Sequence, residues 1–154
     1  MLNFQYNQNH EVDITNLNSF SFHNYFGTRK KNSLEIVQLL KEDDHTLQTN
    51  HSKKHRALCT DNYLLSEDGE ILRMEDEAAF YKKGAHKVFE RKDDFDFKYI
   101  GIFENTAYAV DWLKADFIDN GNSTEKNWTE SVIFKKIKGT WKIERIHSTL
   151  IKLK

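Results

Sequence analysis

The sequence predicts an α+β domain in which helices come first and long antiparallel strands follow. Three observations predict it. From Asn32 apolar residues recur at helical spacing, whereas from about Phe95 onward β-branched and aromatic residues alternate with polar ones. Asp68-Gly69 and Lys138-Gly139 lie between apolar runs, where tight hairpin turns need glycine's tolerance of positive φ. A chain of 154 residues, 38% hydrophobic and 13% aromatic, fits one core and not two.

Residues 1–31 read as an N-terminal arm and residues 32–154 as the folded domain. The arm is rich in Asn, Gln and Ser, yet carries Phe4, Tyr6, Phe20, Phe22, Tyr25 and Phe26. Phe20 and Phe22 alternate with Ser19 and Ser21 as a strand would. Such an arm docks: as a dimer contact, as a lid over a pocket, or as an edge segment on its own domain.

Asn32 with Glu35 is a capping-box signature, and Ile36, Leu39, Leu40, Asp43 and Leu47 share a helical face. This helix is expected to lie across a sheet. A second helix is expected over Ser52 to Cys59, with Ala57, Leu58 and Cys59 inward. His51 and His55 have a spacing that can hold zinc, but Lys53, Lys54 and Arg56 surround them and no third ligand is evident. They read, with His45, as solvated surface histidines.

Tyr63 to Arg73 reads as a hairpin, with Leu64 and Leu65 facing Ile71 and Leu72. A short helix from Asp76 to Lys83 follows, closed by Gly84 as a left-handed cap. Glu67, Asp68, Glu70, Glu75, Asp76 and Glu77 lack calcium-loop spacing and read as a solvated rim. Lys87 to Arg91 and Phe95 to Phe103 read as two strands, the second with Phe95, Phe97, Tyr99 and Phe103 on the face of Gly101, where a bend or bulge is expected. After a Glu104-Asn105 turn, Ala107 to Ile118 forms a long strand. Ala107, Ala109, Leu113, Ala115 and Phe117 lie on one side of it; Tyr108, Val110, Trp112 and Ile118 lie on the other. Residues 119–122 turn into the last pair, two long strands within Trp128 to Leu150.

Acidic and basic residues nearly cancel, 24 against 23, so no global field draws the chain to nucleic acid or to a membrane. The lysines of the last hairpin and tail, Lys135, Lys136, Lys138, Lys142, Lys152 and Lys154, read as a solvated sheet edge. Cys59 is the only cysteine, which excludes an intrachain disulfide and suits a reducing compartment. No apolar run near the start resembles an export signal or a membrane helix, so the chain as written reads as cytoplasmic, a removed export signal being the alternative. No cofactor and no metal are expected.

The order of elements resembles the nuclear transport factor 2-like superfamily, and within it the SnoaL-like branch. The residues that carry the resemblance are Asn105-Thr106-Ala107-Tyr108-Ala109-Val110, Ser131-Val132-Ile133-Phe134-Lys135-Lys136, and Gly139-Thr140-Trp141-Lys142-Ile143 with Ile146-His147-Ser148. It implies a strongly curved antiparallel sheet wrapped around the N-terminal helices, a cone-shaped barrel with an apolar pocket, often in a homodimer. Members include isomerases, dehydratases, cyclases, epoxide hydrolases and non-catalytic association domains, so the chemistry must come from residues.

Asp111, between Val110 and Trp112, is a candidate acid-base group if it faces the pocket, since desolvation raises a carboxyl pKa. His147 is the second, at a position where the resemblance places a histidine, and it shares strand parity with Trp141, Ile143 and Arg145; a bulge would reverse its facing. Glu130 shares parity with Trp128, Val132 and Phe134, and these four are expected to line the pocket. Tyr108 and Trp112 are expected to form its aromatic wall, Tyr108 as a donor to a carbonyl. The expected function is binding of a small, largely apolar molecule with acid-base chemistry on it. The alternative is a non-catalytic dimerisation or association module using the open face of the sheet.

Overall fold

Helix α1 (Ser19–Gln48) braces one face of the sheet. The computed structural model describes residues 19–84, 90–119 and 121–152. After α1 come α2 (Ser52–Leu58), β1 (Cys59–Glu67), β2 (Glu70–Arg73) and α3 (Met74–Gly84). Four long strands follow: β3 (Glu90–Phe103), β4 (Thr106–Asp119), β5 (Asn122–Ile137) and β6 (Thr140–Leu150).

Helix α1 begins well before Asn32, so Asn32 is not a cap, and the alternation at Phe20 and Phe22 falls within helix and not strand. The physical reason is visible at Asn32 itself. Its side chain is buried, and Oδ1 accepts from Lys136 Nζ at 2.9 Å and Trp141 Nε1 at 3.4 Å, bonds to the sheet that leave the helix backbone uninterrupted. The first eighteen residues of the expected arm, Phe4 and Tyr6 among them, lie outside the described residues.

The inner side of α1 presents Ile36, Leu39 and Leu40, which pack with Ala107, Ala109, Val132, Phe134, Trp141 and Ile143 in one core. Cys59 is buried in the core and Leu58 packs against it as expected, but Ala57 is exposed, Cys59 already opens β1, and α2 itself buries His55.

The sheet has six strands in the order β2-β1-β6-β5-β4-β3. It is open, with β2 and β3 as its two edges, and mixed: β1 runs parallel to β6 where the resemblance implies antiparallel strands, and the other neighbours pair antiparallel. Two-residue turns at Asp68-Gly69 and Lys138-Gly139 have both residues at positive φ, between 50° and 85°, the turn geometry whose twist matches that of paired strands.

Register slips occur between Phe97 and Tyr99 in β3, opposite Asp111 and Val110, and at Glu144 in β6, between the partners of Ile133 and Phe134. Each extra residue reverses the facing of everything beyond it. Phe95 and Phe97 therefore point inward, while Tyr99, Gly101 and Phe103 meet Tyr108 on the outer face. In β6, Trp141 and Ile143 are buried before the slip and Ile146 and Ser148 after it.

Candidate functional site

A cavity of about 420 Å³ lies between the inner face of the sheet and the helices. Strand register builds its polar floor. Glu67 on β1 is the partner of Ser148 on β6, Ser148 of Glu130 on β5, and Glu130 of Asp111 on β4, so the four residues form a row across four neighbouring strands. Apolar rows flank it. Leu65, Ile146, Val132 and Ala109 are register partners on one side, and Trp128, Leu113 and Phe95 on the other. A carboxylate in such a row loses water and gains little in return.

Burial pushes Glu130 up to about 7, against the hydrogen bond it accepts from Ser148 Oγ at 2.8 Å and with the charges of Asp111 and Glu67 adding to the rise. Asp111 is 0% exposed, neither of its oxygens has a hydrogen-bond partner among the described residues, and burial pushes it up to about 6. Glu67 is raised as well, first by burial and then by Asp68, while a hydrogen bond from Trp128 opposes the rise.

Arg91 enters the cavity from β3. It donates through Nη2 to Asp44 Oδ1 at 3.0 Å and through Nε to Asp93 Oδ1 at 2.7 Å, and its guanidinium lies 5.3 Å from the centre of the Phe117 ring. Gln48 Nε2 donates to the other oxygen of Asp93 at 2.6 Å. Burial, and then the carboxyl group of Asp93 beside it, push Asp44 up to about 9 in spite of Arg91.

At the helical end His55 is 3% exposed and bridges two elements, Nδ1 to Asp43 Oδ1 on α1 at 2.7 Å and Nε2 to Glu77 Oε2 on α3 at 2.6 Å. Tyr63 donates to Glu77 Oε1 at 3.0 Å and meets the imidazole edge to face. Burial works against the charged ring, but the bonds to Asp43 and Glu77 outweigh it and carry His55 up to about 10. It is an imidazolium at neutral pH. Asp43, His55 and Cys59 bring ligand atoms within 4.8 Å of one another, a spacing open to a metal ion. Both ring nitrogens are already bonded to carboxylates, however, and burial, reinforced by Asp43 and Glu77, pushes the Cys59 thiol far up, away from the thiolate a metal requires.

The expected site residues divide by face. Asp111, Glu130 and Trp128 point inward, and Glu130 and Trp128 line the cavity. Val132 and Phe134 also point inward but are sealed in the core beneath α1 and do not line it. Tyr108 and Trp112 stand on the outer face, Trp112 52% exposed, because they alternate with Ala109, Asp111 and Leu113 along β4. His147 is exposed on that outer face as well, since the slip at Glu144 reverses it; it does not converge with Asp111.

Residues the sequence did not single out complete the site: Asp43, Arg91, Ser148, and two read as solvated, His55 and Glu77. Asp43 carried a signal, a carboxylate on the apolar face of α1. Glu77 carried another, lying three residues after buried Met74 and four before buried Tyr81.

No family model and no curated protein matches this chain. Solved structures do. A nuclear transport factor 2-like superfamily protein from Salmonella enterica shares 18% identity over 81% of this chain and 94% of its own, with a TM-score of 0.69. A ketosteroid isomerase-like protein from Erwinia carotovora shares 14% over 77% and 95%, with a TM-score of 0.62. A structure described as a Ca/calmodulin-dependent kinase II association domain, from Exiguobacterium sibiricum, shares 14% over 80% and 95%, with a TM-score of 0.66.

Proposed function

We propose, from the premise that this chain has the nuclear transport factor 2-like fold, that it holds a small, largely apolar molecule in the cavity and that Glu130 exchanges a proton with it. The observation that carries this reading is the carboxyl group of Glu130 lining a cavity walled by Trp128, Leu113, Phe95 and Phe117, where burial pushes it up to about 7. A group that is half ionised near neutral pH serves as acid or base with little driving-force penalty. Asp111, next to it and beneath the cavity surface, keeps Glu130 protonated more of the time through its own charge. Cavities of a few hundred Å³ suit small molecules.

A two-dimensional NMR titration with uncharged fragments, indole and cyclohexanone, tests the binding part. Shifts gathered on Leu113, Trp128 and Glu130, and lost when Leu113→Trp fills the space, are expected. Shifts on the outer face, or none at all, contradict it.

The second reading is association through the outer face, as a homodimer. It is favoured by the stacked, exposed rings of Tyr99, Phe103 and Tyr108 beside Trp112, which Lys98 covers at 4.0 Å. The two readings use opposite faces and are compatible. Sedimentation of a Trp112→Glu, Tyr108→Glu variant tests this one: a lighter species than wild type is expected, and an unchanged mass rules out that face. The SnoaL-like branch and a cytoplasmic location belong to the same proposal, resting on the Gly139-Thr140-Trp141-Lys142-Ile143 pattern and the single cysteine, whereas a division at residue 31 falls inside α1. So does the lack of a nucleic-acid or membrane partner, which rests on the near-zero net charge. Among the described residues no helix is long and apolar enough to cross a membrane.

A further inference from the structure

We infer that the molecule held in the cavity carries a protonated amine on its apolar body, bound by Glu67 and Glu130 on either side of Ser148. This rests on the pocket reading above and adds the chemical class of the ligand.

Among the described residues two cations line the cavity, Arg91 and His55, and each already faces two carboxyl groups, Asp44 and Asp93 for the first and Asp43 and Glu77 for the second. An anionic ligand would have to displace one of these partners. Glu67 and Glu130 line the same cavity, and their hydrogen bonds come from neutral donors, Trp128 and Ser148. Asp111 stands behind Glu130 with both oxygens unpartnered and no exposure to water. Arg91 reaches Glu67 and Glu130 only through space, its own bonds going to Asp44 and Asp93, so among the described residues the row holds three carboxyl groups with no cation bonded to them, and buried charge without a bonded partner is costly.

Spacing separates an organic ammonium from a metal ion. Glu67 and Glu130 lie on strands separated by β6, roughly 10 Å apart at the backbone from the usual strand spacing. Among the described residues the row has no three carboxylate, His or Cys ligand atoms within 4.8 Å of one another, whereas an ammonium with its three donors can bond a carboxylate on one side and Ser148 Oγ or the second carboxylate on the other. The rings of Trp128, Phe95 and Phe117 then cover the apolar body, and a ring face adds attraction for the cation.

The test compares three probes of one shape at pH 7: 2-phenylethylamine, 2-phenylethanol and 3-phenylpropanoate, titrated into the full chain and followed by NMR. The amine is expected to bind about tenfold more tightly than the alcohol, as one charge-assisted hydrogen bond supports, and the acid more weakly than either. Glu67→Gln and Glu130→Gln should each reduce the amine's advantage over the alcohol, and the double variant should erase it. An alcohol or acid that binds as tightly as the amine overturns the inference and leaves the pocket standing. If none of the three binds, the pocket reading fails and this inference with it.

Discussion

His55 is a cation that the fold has built for itself, clamped between Asp43 and Glu77 and shielded from water. Its folded value of about 10 stands above the ordinary 6.5, so the linkage has a definite sign. Below the ordinary value folded and unfolded chains both bind the proton and the full benefit is present; as pH rises the unfolded chain releases it first, and the benefit is gone above the folded value. Chemical denaturation should therefore show stability falling by a few kcal/mol between roughly pH 6.5 and 10, and His55→Gln should flatten that slope. Asp43→Asn removes one arm of the clamp and is expected to cost about 3–5 kcal/mol at pH 7 by urea unfolding. Asp111 is the opposite case, a buried carboxyl group that stabilises nothing by ionising. Its raised value means that stability is lost as pH climbs from the ordinary carboxylate range to about 6, the loss being complete above that, so Asp111→Asn should gain about 1–2 kcal/mol at pH 8 and nothing below about pH 4.

At the scale of elements, counting parity along a strand works where register is unbroken. Ala107, Ala109, Leu113 and Ala115 in β4 all face inward, as their alternation with larger residues predicts, because β4 pairs with β5 without a slip. The same counting fails for His147, since the slip at Glu144 is marked by neither glycine nor proline. In β3 the expected irregularity near Gly101 falls instead between Phe97 and Tyr99. Gly101 has another cause: a Cβ there would sit 2.7 Å from Tyr108 Cε1 and 2.9 Å from Tyr99 Cε1. Gly101→Ala should force those exposed rings apart at a cost of about 1 kcal/mol, read as a loss of near-ultraviolet circular dichroism with the fold intact. Asn32 reads in sequence as a cap and acts in the fold as the tie between α1 and the β5–β6 hairpin; Asn32→Ala should cost about 1–2 kcal/mol.

For the whole molecule, the order of helices and strands was legible because each turn carries its own chemistry, as at Asp68-Gly69 and Lys138-Gly139. The row Glu67, Ser148, Glu130, Asp111 was not, because it depends on β1 lying parallel beside β6, a pairing between distant parts of the chain that no local pattern announces. Nor was the burial of His55, which takes α1, α2 and α3 together to enclose it. The claim that unites these observations is that the cavity strips water from the carboxylate row. The side-chain carboxyl ¹³C shift of Glu130, followed against pH, measures this directly. A midpoint close to 7 that falls in Asp111→Asn is the predicted result; a midpoint near the ordinary 4.5, unmoved by that substitution, would mean that the carboxylate is open to water and that no such site exists.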